Sequence, residues 1–494
     1  MTKNKEQMNE NWGITLLGLG PGDPGQLTRQ AWDWLQQIPE IYLRTSQHPS
    51  VPDLPVNLTV HSFDEVYAQA EHFEDVYEEI IRQVLELGKR SQGVTYAVPG
   101  HPFVAEATCP EIARRARSAG LPLRVIEGIS FLEPTFSALG IDPLPQLVLV
   151  DALELSALHH PQFAPTEPAL VAQIYSRQVA AEVKLTLMAV YPDEHPVRLV
   201  HAAGTKRQVV EDLPLYEIDR SRHLGLLSTL YLPPLGKDTS LEAFQEIVAA
   251  LRAPDGCPWD REQTHQSLRT NLLEETYEVL QALDADDPDG MCEEFGDLML
   301  QIVLHAQIAS EAGEFSMADV LQGINRKIVR RHPHVFGDVK IEGVTGVLQN
   351  WEKLKADERK ANGEKHGKGL LDGVPLTLPA LAQAQEVQSR AKRVGFDWND
   401  IGPVIDKVFE ELAEVRSALS EEERQKELGD LLFAVVNVVR WYKVDAETAL
   451  RTTNLRWRKR FAYIEKRASE LNRSLNDMTL AEMDVFWEEA KEKE

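Results

Sequence analysis

The second half of this 494-residue chain contains an internal repeat, which limits its fold more than any other feature of the sequence. Four short blocks recur in the same order. They pair Glu274–Val279 with Glu410–Val415, Glu294–Leu298 with Glu427–Leu431, Asn325–Arg331 with Asn454–Arg460, and Trp351–Lys355 with Trp487–Lys491. Apolar residues in this half recur at i, i+3 and i+4, with few β-branched runs. We therefore predict two all-α repeats at 241–360 and 379–494, joined by a connection at 361–378.

The first half has a different pattern, in which short apolar runs alternate with helical segments. The predicted strands are 14–20, 93–98, 123–126, 146–150, 169–174 and 198–201. Such alternation predicts an α/β domain with a largely parallel sheet, which we place at 12–225. A stretch rich in proline and glycine follows, and we interpret 226–240 as a linker. The predicted fold class is therefore multidomain, with an α/β domain followed by an all-α tandem repeat.

Charge and cysteine content narrow the function classes. The net charge is −26, so the global field repels nucleic acid and anionic membranes, and we expect neither as a partner. Three widely spaced cysteines rule out a disulfide framework, and no apolar run is long enough to span a membrane. The first 12 residues are polar and do not form a signal peptide, so we expect a cytoplasmic protein.

Two acidic blocks of the second repeat place carboxylates on a pair of helices. Glu410 and Glu411 precede Glu414 by four and three residues, so these side chains share one helix face. Glu427 and Asp430 lie three residues apart on the next predicted helix. If the two faces pack together, their like charges require a counter-ion. Oxygen ligands without histidine or cysteine favour Mg²⁺, with Mn²⁺ as an alternative.

The first repeat carries the same acidic pattern. Its corresponding candidate ligands are Glu275, Glu278, Glu294 and Asp297. A glycine precedes the aspartate in each repeat, and we expect Gly296 and Gly429 to let a neighbouring helix approach closely. The alternative is that the acidic blocks are only solvated helix faces. The pairing of the blocks, their apolar flanks and their duplication favour the metal site.

Basic pairs follow the acidic blocks. Arg456 and Arg460 lie four residues apart on one helix face, as do Lys327 and Arg331. Such a pair can hold a polyphosphate, and arginine offers a bidentate fork. Taken alone, each pair could equally be a salt-bridged surface.

Two further residue types extend this pattern. Lys407, one turn before Glu411, is a candidate phosphate contact. Trp351 and Trp487 recur at matching places, where they either stack on a base or belong to the core.

Several stretches of the second half carry a resemblance to a known family. They are Gly256–Asp260, Glu274–Glu278, Arg331–Gly337 and Val394–Trp398. From Leu241 to Glu494 the chain resembles the two-repeat MazG nucleoside triphosphate pyrophosphohydrolases. The resemblance implies an all-α fold, Mg²⁺ dependence, and hydrolysis of NTPs or dNTPs to the monophosphate and pyrophosphate.

In that family, catalysis is usually assigned to the C-terminal repeat. The resemblance implies metal ligands at Glu411, Glu414, Glu427 and Asp430, and substrate contacts at Lys407, Phe409, Glu410, Arg456, Arg460, Trp487 and Lys491. Glu410 or Glu411 would orient or deprotonate the attacking water. Lys426 replaces a glutamate that the family often has, and we expect it to touch no metal ligand.

The first glycine turn of the chain, Gly18–Thr28, follows a predicted strand and opens a helix. Asp23 stands where the dinucleotide fingerprint requires glycine, and Pro21 intervenes, so we exclude a standard NAD site. A glycine turn at the carboxyl end of a strand still marks a ligand crevice, and Val98–Pro102 is a second such turn.

Together with Glu127–Ser130, these turns resemble those of the tetrapyrrole (corrin/porphyrin) methylases, over roughly residues 12–225. The resemblance implies S-adenosylmethionine bound between two α/β lobes. The implied contacts are Gly20, Pro21, Gly22, Asp23, Gly100, His101 and Ser130. His101 stands where that family commonly has aspartate. Two alternatives therefore remain, an active methylase and a methylase-like domain kept for nucleotide-like binding or assembly.

The whole chain resembles bacterial fusions of these two domains, known as the YabN type. The leading hypothesis is a hydrolase of nucleoside triphosphates with a methylase-like appendage. The alternatives are a tetrapyrrole methyltransferase whose helical half dimerises or regulates it, and a non-catalytic binding module. Apolar residues on both sides of the predicted helix at Leu431–Val439 also predict a homodimer or higher oligomer.

Overall fold

The computed structural model describes residues 13–69, 73–341 and 369–493, together with a few positions between 343 and 354. The chain divides into two compact units, Met1–Arg261 and Glu262–Glu494. The polar N-terminus at 1–12 and much of the predicted connection at 361–378 lie outside the described residues. Among the described residues, no helix combines the length and the apolar character needed to cross a membrane.

The first unit begins with a sheet in which every strand pairing is parallel. Its strands are β1 (Ile14–Gly18), β2 (Glu40–Leu43), β3 (Thr59–Ser62), β4 (Val94–Val98) and β5 (Leu123–Ile126), in the order β3-β2-β4-β1-β5. The helices of this region are α1 (Arg29–Leu35), α2 (Asp64–Gln69), α3 (Phe73–Gly88) and α4 (Thr108–Ser118). The central strands β1 and β4 are buried along their whole length, as expected for a covered parallel sheet.

The second sheet of this unit is mixed, so the predicted parallel sheet is confirmed for the first sheet only. Its strands are β6 (Val148–Asp151), β7 (Ala169–Ala172), β8 (Pro196–His201), β9 (Val209–Pro214) and β10 (Ser228–Leu232), in the order β6-β7-β10-β8-β9. Only β6 and β7 pair in parallel. The accompanying helices are α5 (Leu132–Leu139), α6 (Ala152–Ser156) and α7 (Arg177–Leu187).

Strand β10 also corrects the predicted linker at 226–240. It hydrogen-bonds to β7 on one side and β8 on the other, so it lies in the middle of its sheet. The short run Ser228–Leu232 is followed by two prolines, and this composition concealed it as a strand. The α/β fold therefore continues at least to Leu232.

Every regular element described after β10 is an α-helix or a short 3₁₀ turn, which confirms the predicted all-α class of the second half. The helices are α8 (Leu241–Arg252), α9 (Pro258–Glu262), α10 (Arg269–Ala285), α11 (Pro288–Glu311), α12 (Met317–Arg331), α13 (Pro333–Phe336), α14 (Ala380–Arg393), α15 (Ile401–Ser417), α16 (Glu421–Trp441), α17 (Ala446–Glu470) and α18 (Leu480–Lys491). Helix α8 falls within the first compact unit, although its sequence was assigned to the first repeat.

Each repeat is built around one pair of packed helices, α10 with α11 and α15 with α16. Side-chain caps fix where the second helix of each pair begins. The Asp287 carboxylate accepts from the Gly290 amide, and the Ser420 hydroxyl accepts from the Glu423 amide. A salt bridge between the Arg451 guanidinium and the Asp284 carboxylate, at 2.6 Å, joins α17 to the first repeat.

Candidate active site

The packed helices of the second repeat bring three predicted metal ligands together. One carboxylate oxygen from each of Glu411, Glu414 and Glu427 lies within 4.8 Å of the others. The first repeat gathers Glu275, Glu278 and Glu294 in the same way. The fourth predicted ligand of each repeat, Asp430 or Asp297, is not a member of these groups. These two groups are called cluster 2 (Glu411, Glu414 and Glu427) and cluster 1 (Glu275, Glu278 and Glu294) below.

Lys407 holds one side of cluster 2. Its ammonium group lies 2.8 Å from a carboxylate oxygen of Glu410 and 2.8 Å from one of Glu411. Hydrogen bonds to these two carboxylates raise the pKa of Lys407, so the lysine is charged at neutral pH. Glu411 is only 5% exposed, and its second oxygen is buried without a hydrogen-bond partner among the residues that the structure describes.

Lys426 lies on the other side of cluster 2. Its ammonium group is 3.4 Å from Glu427 and 3.9 Å from Asp430. The expectation that Lys426 touches no predicted metal ligand is therefore wrong. Attraction to Glu427 raises the pKa of Lys426. The second repeat thus carries a lysine beside each of its two acidic blocks.

Cluster 1 has no such lysines at the aligned positions, where Asn271 and Glu293 stand instead. Burial raises the pKa of Glu275, and so do the nearby charges of Asp297, Glu278 and Glu274. Burial and the charges of Glu278, Glu293 and Asp297 raise the pKa of Glu294. The carboxylates of cluster 1 therefore repel one another with less compensation than those of cluster 2.

In cluster 2, Glu414 shows the same kind of shift. Burial raises its pKa, and so do the charges of Glu411 and Glu427, whereas Lys407 opposes the shift.

The two glycines do not have the role that we expected. A side chain added at Gly296 or Gly429 would meet no atom within 4 Å, so neither glycine makes room for a helix of the same chain in the described structure. Both glycines lie next to the predicted ligands, on helix surface that the described residues leave open.

The candidate ligand atoms of both clusters suit a hard divalent cation. Each cluster offers only carboxylate oxygens, which Mg²⁺ and Mn²⁺ prefer. The buried and unpartnered oxygen of Glu411 is an additional sign, because a bare carboxylate oxygen in the interior is costly without a cation or a donor.

The predicted basic pair lies on α17. The Arg456 guanidinium donates to the Thr453 hydroxyl at 3.1 Å. The Arg460 guanidinium lies 5.4 Å from the ring centre of Trp487. Arg331 and Trp351 make the same kind of pair in the first repeat, at 5.5 Å. The arginine–tryptophan contact of the second repeat therefore recurs in the first.

The role of Trp487 was left open between base stacking and packing. Its ring centre lies 5.6 Å from that of Trp457, and it packs against a buried cluster that includes Ile464 and Phe486. These contacts favour the packing role. On the same helix, the Lys491 ammonium pairs with Glu488 at 2.5 Å.

A cavity of about 420 Å³ adjoins cluster 2, and most residues of its far wall were not among the predicted site residues. Lys407, Glu411 and Asp430 line one part of it. The remaining lining is mostly apolar and aromatic, with the polar residues Gln388, Asp397, Asn437 and Arg440. Asp397 and Trp398 belong to Val394–Trp398, one of the stretches that carry the resemblance to the MazG family. Gln388 and Asn437 gave no signal, because single amides on predicted helices are ordinary.

The first unit contains a separate cavity of about 210 Å³ at the glycine turns. The backbone segments beside this cavity pack closely, which explains why they contain glycine. A side chain at Gly18 would come within 2.5 Å of the Gly100 carbonyl oxygen and within 2.6 Å of the Gly128 nitrogen. Gly18 ends β1, and Gly100 and Gly128 follow β4 and β5, so the cavity lies at the carboxyl ends of adjacent parallel strands.

Gly20, Pro21 and Gly100 of the predicted cofactor contacts line this cavity. Gly22, Asp23, His101 and Ser130 are not part of the lining. Their side chains, where present, satisfy local backbone or side-chain groups. Asp23 accepts from the Gly25 amide, His101 accepts from the Phe103 amide, and Ser130 donates to Glu133.

His48 also lines this cavity, although no sequence motif pointed to it. Burial lowers the pKa of His48 to about 4, so its imidazole is neutral at physiological pH. Its two ring nitrogens contact the Gly20 carbonyl oxygen at 3.0 Å and the Ser50 hydroxyl at 2.8 Å. The His48 side chain therefore stabilises the first glycine turn by contacting its backbone.

Comparison with known proteins gives matches to both units. The family of tetrapyrrole (corrin/porphyrin) methylases matches residues 13–219, and the MazG nucleotide pyrophosphohydrolase domain matches residues 263–336. YabN of Bacillus subtilis (strain 168) is 44% identical over 97% of this chain and 99% of its own length. The nucleoside triphosphate pyrophosphohydrolase/pyrophosphatase MazG of Thermotoga maritima is 43% identical over 50% of this chain and 95% of its own length. The crystal structure of uroporphyrin-III-C-methyltransferase from Thermus thermophilus covers 46% of this chain and 93% of its own, with 18% identity and a TM-score of 0.36.

Proposed function

Because the chain belongs to the family of YabN, in which a tetrapyrrole-methylase-like region precedes a MazG-like helical region, we propose that its helical unit hydrolyses nucleoside triphosphates. The products are a nucleoside monophosphate and pyrophosphate. The observation that carries the proposal is cluster 2, where three carboxylates converge beside Lys407 and a cavity. The MazG relative from Thermotoga maritima supports it, because its name gives the same reaction.

Glu411, Glu414, Glu427 and Asp430 would hold Mg²⁺ or Mn²⁺ in this site. A cation held there would neutralise the charge of the phosphates and favour activation of the attacking water. The buried Glu411 oxygen that has no hydrogen-bond partner among the described residues would be stabilised most by such an ion.

Side chains of the protein would carry out the remaining steps of the reaction. Glu410 lies at the exposed rim of the site and is oriented by Lys407, so it can align and deprotonate a water for attack on the α-phosphorus. The new bond joins the water oxygen to the α-phosphorus, and the bond to the bridging oxygen breaks. Pyrophosphate leaves with the bonding electron pair. Lys407, Arg456, Arg460 and Lys491 are the positive side chains proposed to bind substrate phosphates.

The test is pyrophosphate release from a panel of NTPs and dNTPs in the presence of Mg²⁺. Run in ¹⁸O-labelled water, the reaction should place the label in the monophosphate, because attack occurs at the α-phosphorus. Glu414→Gln protein, purified in parallel, controls for contaminating phosphatases. Label found in pyrophosphate or in inorganic phosphate would overturn the proposed site of attack.

The cavity in the first unit supports a second function, binding of an S-adenosylmethionine-like ligand. Its glycine turns bring backbone amides and carbonyls to the carboxyl ends of three strands, where a ligand can approach the main chain. None of the side chains that line the described cavity is a carboxylate. Calorimetry with S-adenosylhomocysteine tests binding, and the absence of heat at millimolar ligand would argue against it.

We propose that the helical unit forms a homodimer or higher oligomer. Helices α15 and α16 expose large apolar side chains, among them Phe409 (66% exposed) and Leu432 (61% exposed). The open surface at Gly296 and Gly429 would allow another helix to approach closely. Light scattering at micromolar concentration should give at least twice the mass of one chain, and a monodisperse monomer would contradict the proposal.

A further inference from the structure

The wall of the cavity beside cluster 2 is mostly apolar but carries a few hydrogen-bonding groups. Their neighbours fix whether each group acts as a donor or as an acceptor. The cavity lining combines aliphatic side chains such as Val387 and Val404 with the aromatic rings of Phe396, Trp398 and Phe433. At about 420 Å³, the cavity is large enough for a planar ring system. The polar groups within it therefore determine which ring system could bind.

Gln388 supplies a hydrogen-bond acceptor. It is 8% exposed, and its amide nitrogen donates to the Phe433 carbonyl oxygen at 2.9 Å. That bond fixes the orientation of the amide, so the oxygen Oε1 remains available. This oxygen is buried and has no partner among the described residues. A buried acceptor in this state is expected to meet a donor from a ligand or a bound water.

Asn437 supplies a donor in the same lining. Its oxygen Oδ1 accepts from the Nε of Arg440 at 2.9 Å and from a terminal nitrogen of Arg440 at 2.7 Å. Arg440 is held in turn by Asp397, with bonds of 2.7 and 3.2 Å. Because the oxygen of Asn437 is engaged twice, its amide nitrogen is the group left to donate.

Other residues connect this wall with the proposed chemistry. Lys407, Glu411 and Asp430 line the same cavity, so one ligand can touch both regions. Such a ligand has a planar, largely apolar end with a donor and an acceptor, and a polyanionic end that reaches the carboxylates through a cation. We propose that this cavity binds the base of the nucleoside triphosphate and that Gln388 and Asn437 contact its Watson–Crick edge. The inference rests on the proposed pyrophosphohydrolase function.

The first repeat does not keep the Asn437–Arg440 part of this wall. When the repeats are aligned on Glu294 and Glu427, Leu304 stands in place of Asn437, and Gln307 in place of Arg440. Leu304 is buried and cannot donate a hydrogen bond. The proposed base contact is therefore a property of the second repeat.

The experiment measures the affinity of the full-length protein for α,β-methylene nucleoside triphosphates with Mg²⁺, by calorimetry. Gln388→Met should weaken binding by about tenfold, the usual effect of losing one buried hydrogen bond. Gln383→Met makes the same chemical change on α14, at a residue outside the cavity lining, and should bind like the wild type. Asn437→Leu, which installs the residue of the first repeat, is a second cavity variant.

A change on the ligand tests the same contact without altering the protein. The analogue whose base is methylated at the ring nitrogen of the Watson–Crick edge should bind the wild type at least about tenfold more weakly than its parent nucleotide. In Gln388→Met that difference should shrink, because the contact is already lost. Equal affinities of the wild type for the parent and the methylated nucleotide would overturn the inference.

Hydrolysis of ribose 5-triphosphate, which has no base, separates this inference from the proposed function. If Gln388→Met leaves its turnover unchanged while weakening nucleotide binding, the base contact is supported. If the variant reduces turnover of both substrates equally, Gln388 acts through the carboxylates or the fold, and the inference fails. If the wild type hydrolyses neither substrate, the proposed function fails, while the binding experiments still decide whether the cavity holds a base.

Discussion

The two repeats share an acidic pattern but differ in how its charge is balanced. Cluster 2 has Lys407 in contact with Glu410 and Glu411, and Lys426 beside Glu427. Cluster 1 has Asn271 and Glu293 at the aligned positions. The duplicated acidic pattern has therefore produced one cluster with lysine side chains beside its carboxylates and one without lysines at the aligned positions.

This difference bears on which repeat carries the turnover. Two positive groups beside the carboxylates, with a cavity that reaches the same site, suit cluster 2 to a polyanionic substrate. Cluster 1 keeps the carboxylates that we propose to bind a cation, but it has no lysine at the two aligned positions. We therefore expect the second repeat to be the main catalytic site and the first to contribute little turnover.

The largest expected effect is one that both repeats share. Removal of divalent metal with EDTA should abolish pyrophosphate release, because each cluster needs a cation to bring a triphosphate next to carboxylates. Mg²⁺ or Mn²⁺ should restore it. Full activity after exhaustive chelation would show that neither cluster works as proposed.

A matched pair of substitutions should then separate the repeats. Glu414→Gln should reduce turnover at saturating NTP by about a hundredfold or more, because it removes a proposed ligand from the catalytic site. Glu278→Gln changes the aligned residue of cluster 1 and should retain most of the activity. Circular dichroism should show both variants folded, and equal losses in the two would remove the proposed asymmetry.

Exchanging the residue before each acidic block should produce a smaller effect. Lys407→Asn gives the second repeat the residue of the first and should lower kcat/KM by about tenfold, since one charged contact is lost. The reciprocal Asn271→Lys change should leave the activity of the whole chain nearly unchanged. If Lys407→Asn has no effect, the lysine only balances charge in the metal-free protein.

The smallest expected effect concerns stability without metal. Glu275→Gln removes one of the repelling charges of cluster 1 and should raise the thermal midpoint of the helical unit in EDTA by about 2 °C. Glu411→Gln should give no such gain, because Glu411 already pairs with Lys407. Differential scanning calorimetry measures both, and a larger gain for Glu411→Gln would reverse the proposed difference in charge balance.

The same prediction has a pH dependence with a definite sign. The pKa of Glu275 is raised in the folded protein, so the folded state takes up this proton at higher pH than the unfolded state. Its charged form therefore costs stability at neutral pH, and the cost disappears as the pH falls through the folded pKa toward the ordinary value of 4.5. The gain from Glu275→Gln should shrink over the same range.

Much of the helical half could be predicted from the sequence. The positions of Glu411 and Glu414 on one helix follow from their spacing, since residues three or four apart share a helix face in any packing. The same holds for Arg456 and Arg460. In the α/β half, the glycine turns were predicted because Gly18 and Gly100 follow apolar strands. These inferences use only local geometry, which the sequence fixes over a few residues.

The α/β half also shows where such reasoning stops. Strands β2, β3, β9 and β10 were missed, and the second sheet proved mixed rather than parallel. Strand direction depends on which segments pair across the fold. The sequence pattern of Ser228–Leu232 is that of any short apolar run, and only its two neighbours, β7 and β8, make it a central strand.

The class of each half, the duplicated carboxylates and the kind of cation expected beside them follow from the sequence alone. Which side chains share one site depends on the packing of the folded chain. This packing brought Lys426 next to Glu427, left Asp430 outside the closest group, and placed Gln388 and Asn437 in the cavity that reaches Glu411. The physical reason is that spacing along one helix sets a residue's face, whereas contacts between helices depend on how whole side chains pack in three dimensions.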